Sequence, residues 1–326
     1  MTTRLDRRSF LKYLSVAGVA LSVASVTGSC TRSYPAPIAA VVASPADPGI
    51  AEISMVHTRT GKATELPDAI RSIDGAGHVQ ASPDGARLAF DDGEQIFVAS
   101  LTGTLLRALT PPMRDASTPS WSPDGTQIVF EAQNERIAVV DVANGRITRL
   151  TPALGHEQVW LPSFSPDGRT VLFTRSSHSG YRLGLWTVPV TGGTGTPIVP
   201  NAAFGSYAPD GRTIAFHRAD ESPFSSAWSL DLGITLIDAN GDHPRSITEP
   251  QALVGFSSGW GDRYRTRPAW SPDGTRIAYQ GTRIEPDRVS IVDVASGHDV
   301  TLGTGGWPTW LENHTLIIED FTRGEP

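Results

Sequence analysis

Trp121-Ser-Pro-Asp-Gly-Thr-Gln-Ile-Val-Phe130 is the stretch on which the fold turns. Proline presets φ at the first turn position, Asp bonds the local backbone and Gly takes the left-handed position, so the phrase opens on a hairpin turn. The Ile-Val-Phe run after the turn is a short β-branched and aromatic strand. Four further copies run from Ala81 to Phe90, Phe164 to Phe173, Tyr207 to Phe216 and Trp270 to Tyr279. A degenerate sixth, from Trp310 to Ile318, has lost its Pro-Asp-Gly. The turn prolines, Pro83, Pro123, Pro166, Pro209 and Pro272, are spaced 40, 43, 43 and 63 residues apart.

A second hairpin follows each phrase. It is clearest from Ile137 to Leu150, around Asn144-Gly145, with similar halves over 96–109, 234–247 and 289–302. A unit of about 40 residues with four strands is a propeller blade. Residues 53–66 read as a second hairpin with no first, and 307–321 as a first hairpin with no second. Joining them completes one blade from both ends of the chain and covers strands that would otherwise be open edges. The expected fold is therefore all-β, a six-bladed β-propeller closed by pairing N- and C-terminal strands in one blade.

Composition agrees. The 326 residues are 39% hydrophobic and 19% charged, enough apolar material for a large core. The single cysteine, Cys30, excludes a disulfide framework and zinc sites built from several thiolates. Formal charge is −7, and removal of residues 1–29 takes away a net +3 to leave about −10. Nucleic acid is disfavoured as a partner by that sign.

The first thirty residues read as an address. A basic stretch over 1–12 precedes 14 uncharged residues from Tyr13 to Val26. That is too short for a spanning helix, which needs about 20 apolar residues, and right for a signal core. Arg7-Arg8-Ser9-Phe10-Leu11-Lys12 resembles the twin-arginine export motif, and Thr27-Gly28-Ser29-Cys30 resembles a lipobox. The second resemblance implies acylation of Cys30 and stable membrane attachment. The expected organisation is a signal peptide over 1–29, a lipidated cysteine with a Pro/Ala/Ser tether over 30–49, and a propeller over 50–326.

The repeat phrase resembles the TolB-type propeller repeat, also found in the propellers of prolyl oligopeptidases and dipeptidyl peptidases. The resemblance covers about 50–321, is specific for fold and weakly specific for function. TolB carries an α/β domain before its propeller; here only the tether stands in that place. The resemblance thus implies the fold and a general binding role in the cell envelope.

Three features of the sequence could carry chemistry. The turn aspartates, Asp84, Asp124, Asp167, Asp210 and Asp273, read as turn formers, and the repeat aromatics as packing between blades. Gly255-Phe-Ser257-Ser-Gly259 matches the nucleophile-elbow spacing, but it lies between all-β blades and lacks the strand–turn–helix setting that motif needs. Extra length in the fourth period falls in loops 218–232 and 249–266, on the face opposite the Pro-Asp-Gly turns. Their Trp228, Trp260, Arg263, Tyr264 and Arg265 are residue types favoured at interface hot spots. The central channel opens on the same face, where innermost-strand starts supply His78, Trp160, Phe204, Arg267 and Trp307, with Arg114, Asp115 and Glu157 nearby.

The expected function is non-catalytic. An extracytoplasmic, lipid-anchored propeller presents this face to an envelope protein, a peptide or a glycan, without metal or other cofactor. The alternative is a propeller hydrolase, lactonase or lyase with a site at the channel mouth. Such a site wants several carboxylates on the innermost strands, which here carry Ser, Thr, Pro and aromatics.

Overall fold

Each Pro-Asp-Gly phrase makes the turn its chemistry dictates. In the computed structural model, Ser122 Oγ donates to Asp124 Oδ1 at 2.6 Å, and the Thr126 amide donates to the same oxygen at 3.0 Å. Gly125 closes the turn at φ 67°, where a side chain would be strained. Those hydrogen bonds, led by Ser122, hold the Asp124 carboxyl below the usual carboxylate range. The same Ser–Asp pairing recurs at Asp84, Asp167 and Asp273.

The structure describes residues 52–60, 62–66, 76–104, 106–132, 136–152, 157–176, 183–221, 228–250, 253–255, 266–281 and 288–320. Strands β1 (Glu52–His57) and β2 (Lys62–Glu65) come first. The first complete blade is β3 (Gly77–Ala81), β4 (Arg87–Asp91), β5 (Ile96–Ser100) and β6 (Leu106–Ala108). The second is β7 (Ser117–Trp121), β8 (Gln127–Ala132), β9 (Arg136–Asp141) and β10 (Ile147–Arg149). The third is β11 (Val159–Phe164), β12 (Thr170–Ser176), β13 (Leu183–Pro189) and β14 (Thr196–Pro200). The fourth holds β15 (Ala202–Tyr207), β16 (Thr213–Glu221), β17 (Trp228–Asp238), β18 (Arg245–Ser246) and β19 (Leu253–Gly255). The fifth is β20 (Ala269–Trp270), β21 (Arg276–Gly281), β22 (Arg288–Asp293) and β23 (Asp299–Thr304). Finally β24 (Gly306–Glu312) and β25 (Thr315–Asp320) join the first two strands in the order β2-β1-β25-β24. Ser54 lies opposite Ile318 and Val56 opposite Leu316. The ring has six blades and closes as the half-repeats require.

The fourth blade departs from expectation in two ways. The sequence predicts a loop over 218–232, yet the ladder continues into this stretch from both ends, with Arg218 opposite Asp231 and Glu221 opposite Trp228. Part of 249–266 also pairs, as β19 against β17. The added residues thus lengthen a hairpin instead of forming a free excursion.

Packing between blades uses the residues that end and begin each phrase. Phe90, Phe130, Phe173 and Tyr279 are fully buried, and burying such a side chain stabilises by about 1.5–3 kcal/mol. The repeat tryptophans add a polar link. Trp121 Nε1 donates to Gln80 O at 3.1 Å, Trp270 Nε1 to Ser206 O at 3.2 Å, and Trp310 Nε1 to Ala269 O at 2.9 Å. Each reaches the innermost strand of the preceding blade, so an aromatic tip that would cost free energy if buried unpaired finds its acceptor there.

Candidate functional site

Five of the six innermost strands carry a bulge near their start. The β3–β4, β7–β8, β11–β12, β15–β16 and β24–β25 ladders all slip at this point. The first bulged residue has positive φ in five blades: His78 (54°), Thr118 (53°), Leu161 (50°), Phe204 (58°) and Trp307 (49°). Pro119, Pro162 and Pro308 follow three of them, at positions where a ladder amide is not needed. Left-handed backbone at bulky residues costs about 1–3 kcal/mol each, so something must hold it.

The holding groups sit at one repeat position, directly after the residue that closes each phrase: Asp91, Glu131, Thr174, His217, Gln280 and Glu319. All six are buried. Four catch an amide of the next blade around the ring. Asp91 Oδ2 accepts from Thr118 N at 3.0 Å, Glu131 Oε1 from Leu161 N at 2.7 Å, and Thr174 Oγ1 from Phe204 N at 2.7 Å. Glu319 Oε1 accepts from Val79 N at 2.9 Å, across the seam where the composite blade meets the first. The carboxylates sought on the innermost strands are therefore present at this end of the channel, but on second strands.

The bulge side chains converge. Trp307 of the sixth blade shares one buried apolar cluster with Phe204 of the fourth and with Leu161 and Trp160 of the third. Arg267 stands in the fifth blade where the others have their positive-φ residue. Its Nη1 donates to Pro162 O at 2.6 Å and its Nη2 to Pro119 O at 3.1 Å, so it reaches from the fifth blade to the third and second. His78 packs edge-on against Trp307, ring centroids 4.1 Å apart, and its Nδ1 lies 2.8 Å from Asp91 Oδ2. The mouth is thus filled by one side chain per blade, apolar on one side and ionic on the other.

Charge at this mouth is strongly coupled. Burial is the largest influence on His78 and works against the imidazolium, but Asp91, Glu319 and Glu131 together outweigh it and hold the pKa up at about 9. Burial pushes Glu319 up to about 7 against the pull of His78 and the Val79 amide. Burial pushes Arg267 down to about 10, opposed by Glu131. His217, at the fourth blade's equivalent position, is driven by burial down to about 4 and is neutral at pH 7.

The structure brings His78, Trp160, Phe204, Arg267 and Trp307 together. Arg114 lies outside the group, exposed beside Asp115 at 3.3 Å. Glu157 accepts from Arg175 Nε at 2.6 Å, and that guanidinium covers Trp186 at 4.3 Å. Trp228 lies in β17, opposite Glu221. Trp260, Arg263, Tyr264, Arg265, Arg7, Arg8 and Cys30 lie outside the described residues, as does most of the nucleophile-elbow match.

No family model and no curated protein matches the chain. Solved structures do. TolB from Acinetobacter baumannii superposes with a TM-score of 0.58 at 17% identity, over 84% of this chain and 65% of that one, under two thirds of its length. A candidate TolB from Agrobacterium tumefaciens gives 0.65 at 18%, over 83% and 98%. The fold is that of the TolB-like six-bladed propellers. An oligogalacturonate lyase in complex with manganese shares the fold less closely, with a TM-score of 0.51 at 16% identity over 78% of this chain and 74% of that one. Among the described residues no three His, Cys, Asp or Glu side chains are grouped to hold a metal ion. At the mouth, Asp91, Glu131 and Glu319 each accept a backbone amide.

Proposed function

We propose that this TolB-like propeller is a non-catalytic binding module of the cell envelope. It is exported on the twin-arginine-type signal over 1–29, held by lipid on Cys30, and recognises a protein, peptide or glycan with the mouth face. The observation that carries this reading is the commitment of the mouth's ionisable groups. Asp91, Glu131 and Glu319 are buried and bonded to amides, and His78, paired with Asp91 and held at a pKa of about 9, carries its proton at neutral pH, so none is poised there as a general base. What the mouth leaves partly exposed is His78, edge-on to the Trp307 ring, and part of Arg267. Cations next to aromatics suit recognition better than turnover.

The test uses solubilised envelope and arrays of envelope peptides and glycans as probes. Trp260→Ala and Arg265→Ala are expected to weaken capture, each by about 2 kcal/mol or roughly thirtyfold. Arg169→Ala and Arg212→Ala, beside the Pro-Asp-Gly turns, are expected to leave it unchanged. The opposite ranking would place the working surface on the other face.

A propeller lyase is the second reading, favoured by the oligogalacturonate lyase neighbour. Manganese-dependent cleavage of oligogalacturonate by the purified protein would replace the binding reading with that one.

Anchoring has its own test. Cys30→Ala is expected to move the protein from the membrane fraction to the soluble extracytoplasmic fraction. Retention on membranes after a high-salt wash would remove the lipid from the proposal.

A further inference from the structure

The ionic half of the mouth is a row of hydrogen-bonded residues crossing three consecutive seams. Glu319 of the sixth blade accepts the Val79 amide of the first. The neighbouring His78 ring bonds Asp91 in its own blade, and Asp91 accepts the Thr118 amide of the second. Thr118 Oγ1 donates to Glu131 Oε1 at 2.7 Å, and the same oxygen accepts the Leu161 amide of the third. At the other three seams the same repeat position holds the neutral groups Thr174, His217 and Gln280. Charge is concentrated at the place where the ring is joined from its two ends.

We propose that Glu319, His78, Asp91, Thr118 and Glu131 form a proton-controlled clasp that holds the closing seam shut in neutral to mildly acidic conditions and loosens it in alkali. This does not rest on the mouth being a binding site. The groups facing the clasp are His78 from β3, Asp91 from β4, Glu131 from β8 and Glu319 from β25, with Arg267 of the fifth blade facing Glu131.

The direction follows from linkage. Glu319 holds its proton more tightly in the closed ring, at about 7 against an ordinary 4.5. Its contribution is complete below pH 4.5 and is lost as pH rises through 7. His78 stands at about 9 against 6.5, so its contribution is complete below pH 6.5 and is lost as pH rises through 9. Both act in the same sense. Above pH 9 the closing seam keeps three buried carboxylates with Arg267 as their remaining cation.

Hydrogen exchange reads this directly. Peptides covering 76–81 and 315–320 are compared with peptides covering 170–176 and 183–189 in the same sample, so that the intrinsic pH dependence of exchange cancels. The opening constant of the seam, relative to that reference, is expected to rise between pH 6 and pH 9 by about tenfold through Glu319 and a further hundredfold, roughly, through His78. His78→Gln keeps a donor toward Asp91 but carries no titrating proton, and it should flatten the rise above pH 7. Glu319→Gln keeps an acceptor for the Val79 amide and should flatten it between pH 5 and 7. A wild-type ratio constant over this range would overturn the proposal, as would a full rise persisting in either variant over its own limb. Should a variant fail to fold, the wild-type profile decides alone.

Discussion

Glu131→Ala is expected to lower the unfolding free energy by about 3–5 kcal/mol, the usual cost of removing one partner from a buried charge cluster. Glu131 is 3% exposed and holds two donors on one oxygen, the Thr118 hydroxyl and the Leu161 amide, each at 2.7 Å. Truncation leaves both buried without an acceptor, at about 1–3 kcal/mol apiece, and removes a negative charge that faces Arg267 and His78. It also frees Leu161 from the group that holds its backbone at φ 50°. Glu131→Gln keeps an acceptor oxygen and loses only the charge, so about half the effect is expected. Thr118→Val removes a single hydrogen bond and should cost about 1 kcal/mol. Urea unfolding with an unchanged m-value ranks the three. An alanine variant within about 1 kcal/mol of the parent would show that the second-strand carboxylates do not hold the bulges.

The ring was legible because its chemistry is local and repeated. Pro-Asp-Gly fixes a turn wherever it occurs, and five copies at nearly even spacing leave few architectures open. The unpaired half-repeats then fixed the closure. The mouth was legible in part. His78, Trp160, Arg267 and Trp307 were singled out because they stand at the starts of innermost strands. Asp91, Glu131 and Glu319 are hidden from such a reading because they stand on second strands, whose ends the bulges bring to the channel. A signal was available: the position after Phe90, Phe130, Phe173, Phe216, Tyr279 and Ile318 reads Asp, Glu, Thr, His, Gln and Glu. A polar residue at one repeat position, at the end of an otherwise apolar strand, is a partner for the neighbouring blade. The long hairpin of the fourth blade escaped for a different reason. Arg218, Asp220, Glu221 and Asp231 are poor strand formers, and their pairing is set by the ladder they extend.

Ending the chain after Asn313 is expected to abolish cooperative folding. This removes β25, a strand paired on both edges, with β24 on one side and β1 on the other. Its side chains are buried on both faces. Leu316 and Ile318 pack with Ala278 and Ile291 of the fifth blade, while Ile317 packs with Leu88 and Phe90 of the first. Losing three buried aliphatic side chains costs about 2–5 kcal/mol each, which together is comparable to the whole stability of a typical domain, about 5–15 kcal/mol. The deletion also takes Glu319 from the Val79 amide and leaves β1 and β2 without an inner neighbour. A chain ending at Asp320 keeps every one of these contacts and serves as the control, expected to melt like the parent. Ile317→Ala supplies the graded case, about 2–5 kcal/mol less stable with the same cooperativity. Thermal unfolding followed by far-ultraviolet circular dichroism, together with limited proteolysis, separates the three. A single sharp transition in the chain ending at Asn313, within a few degrees of the parent, would mean that five blades hold the ring without the composite one. Closure by the chain's two ends would then be a consequence of the fold and not one of its supports.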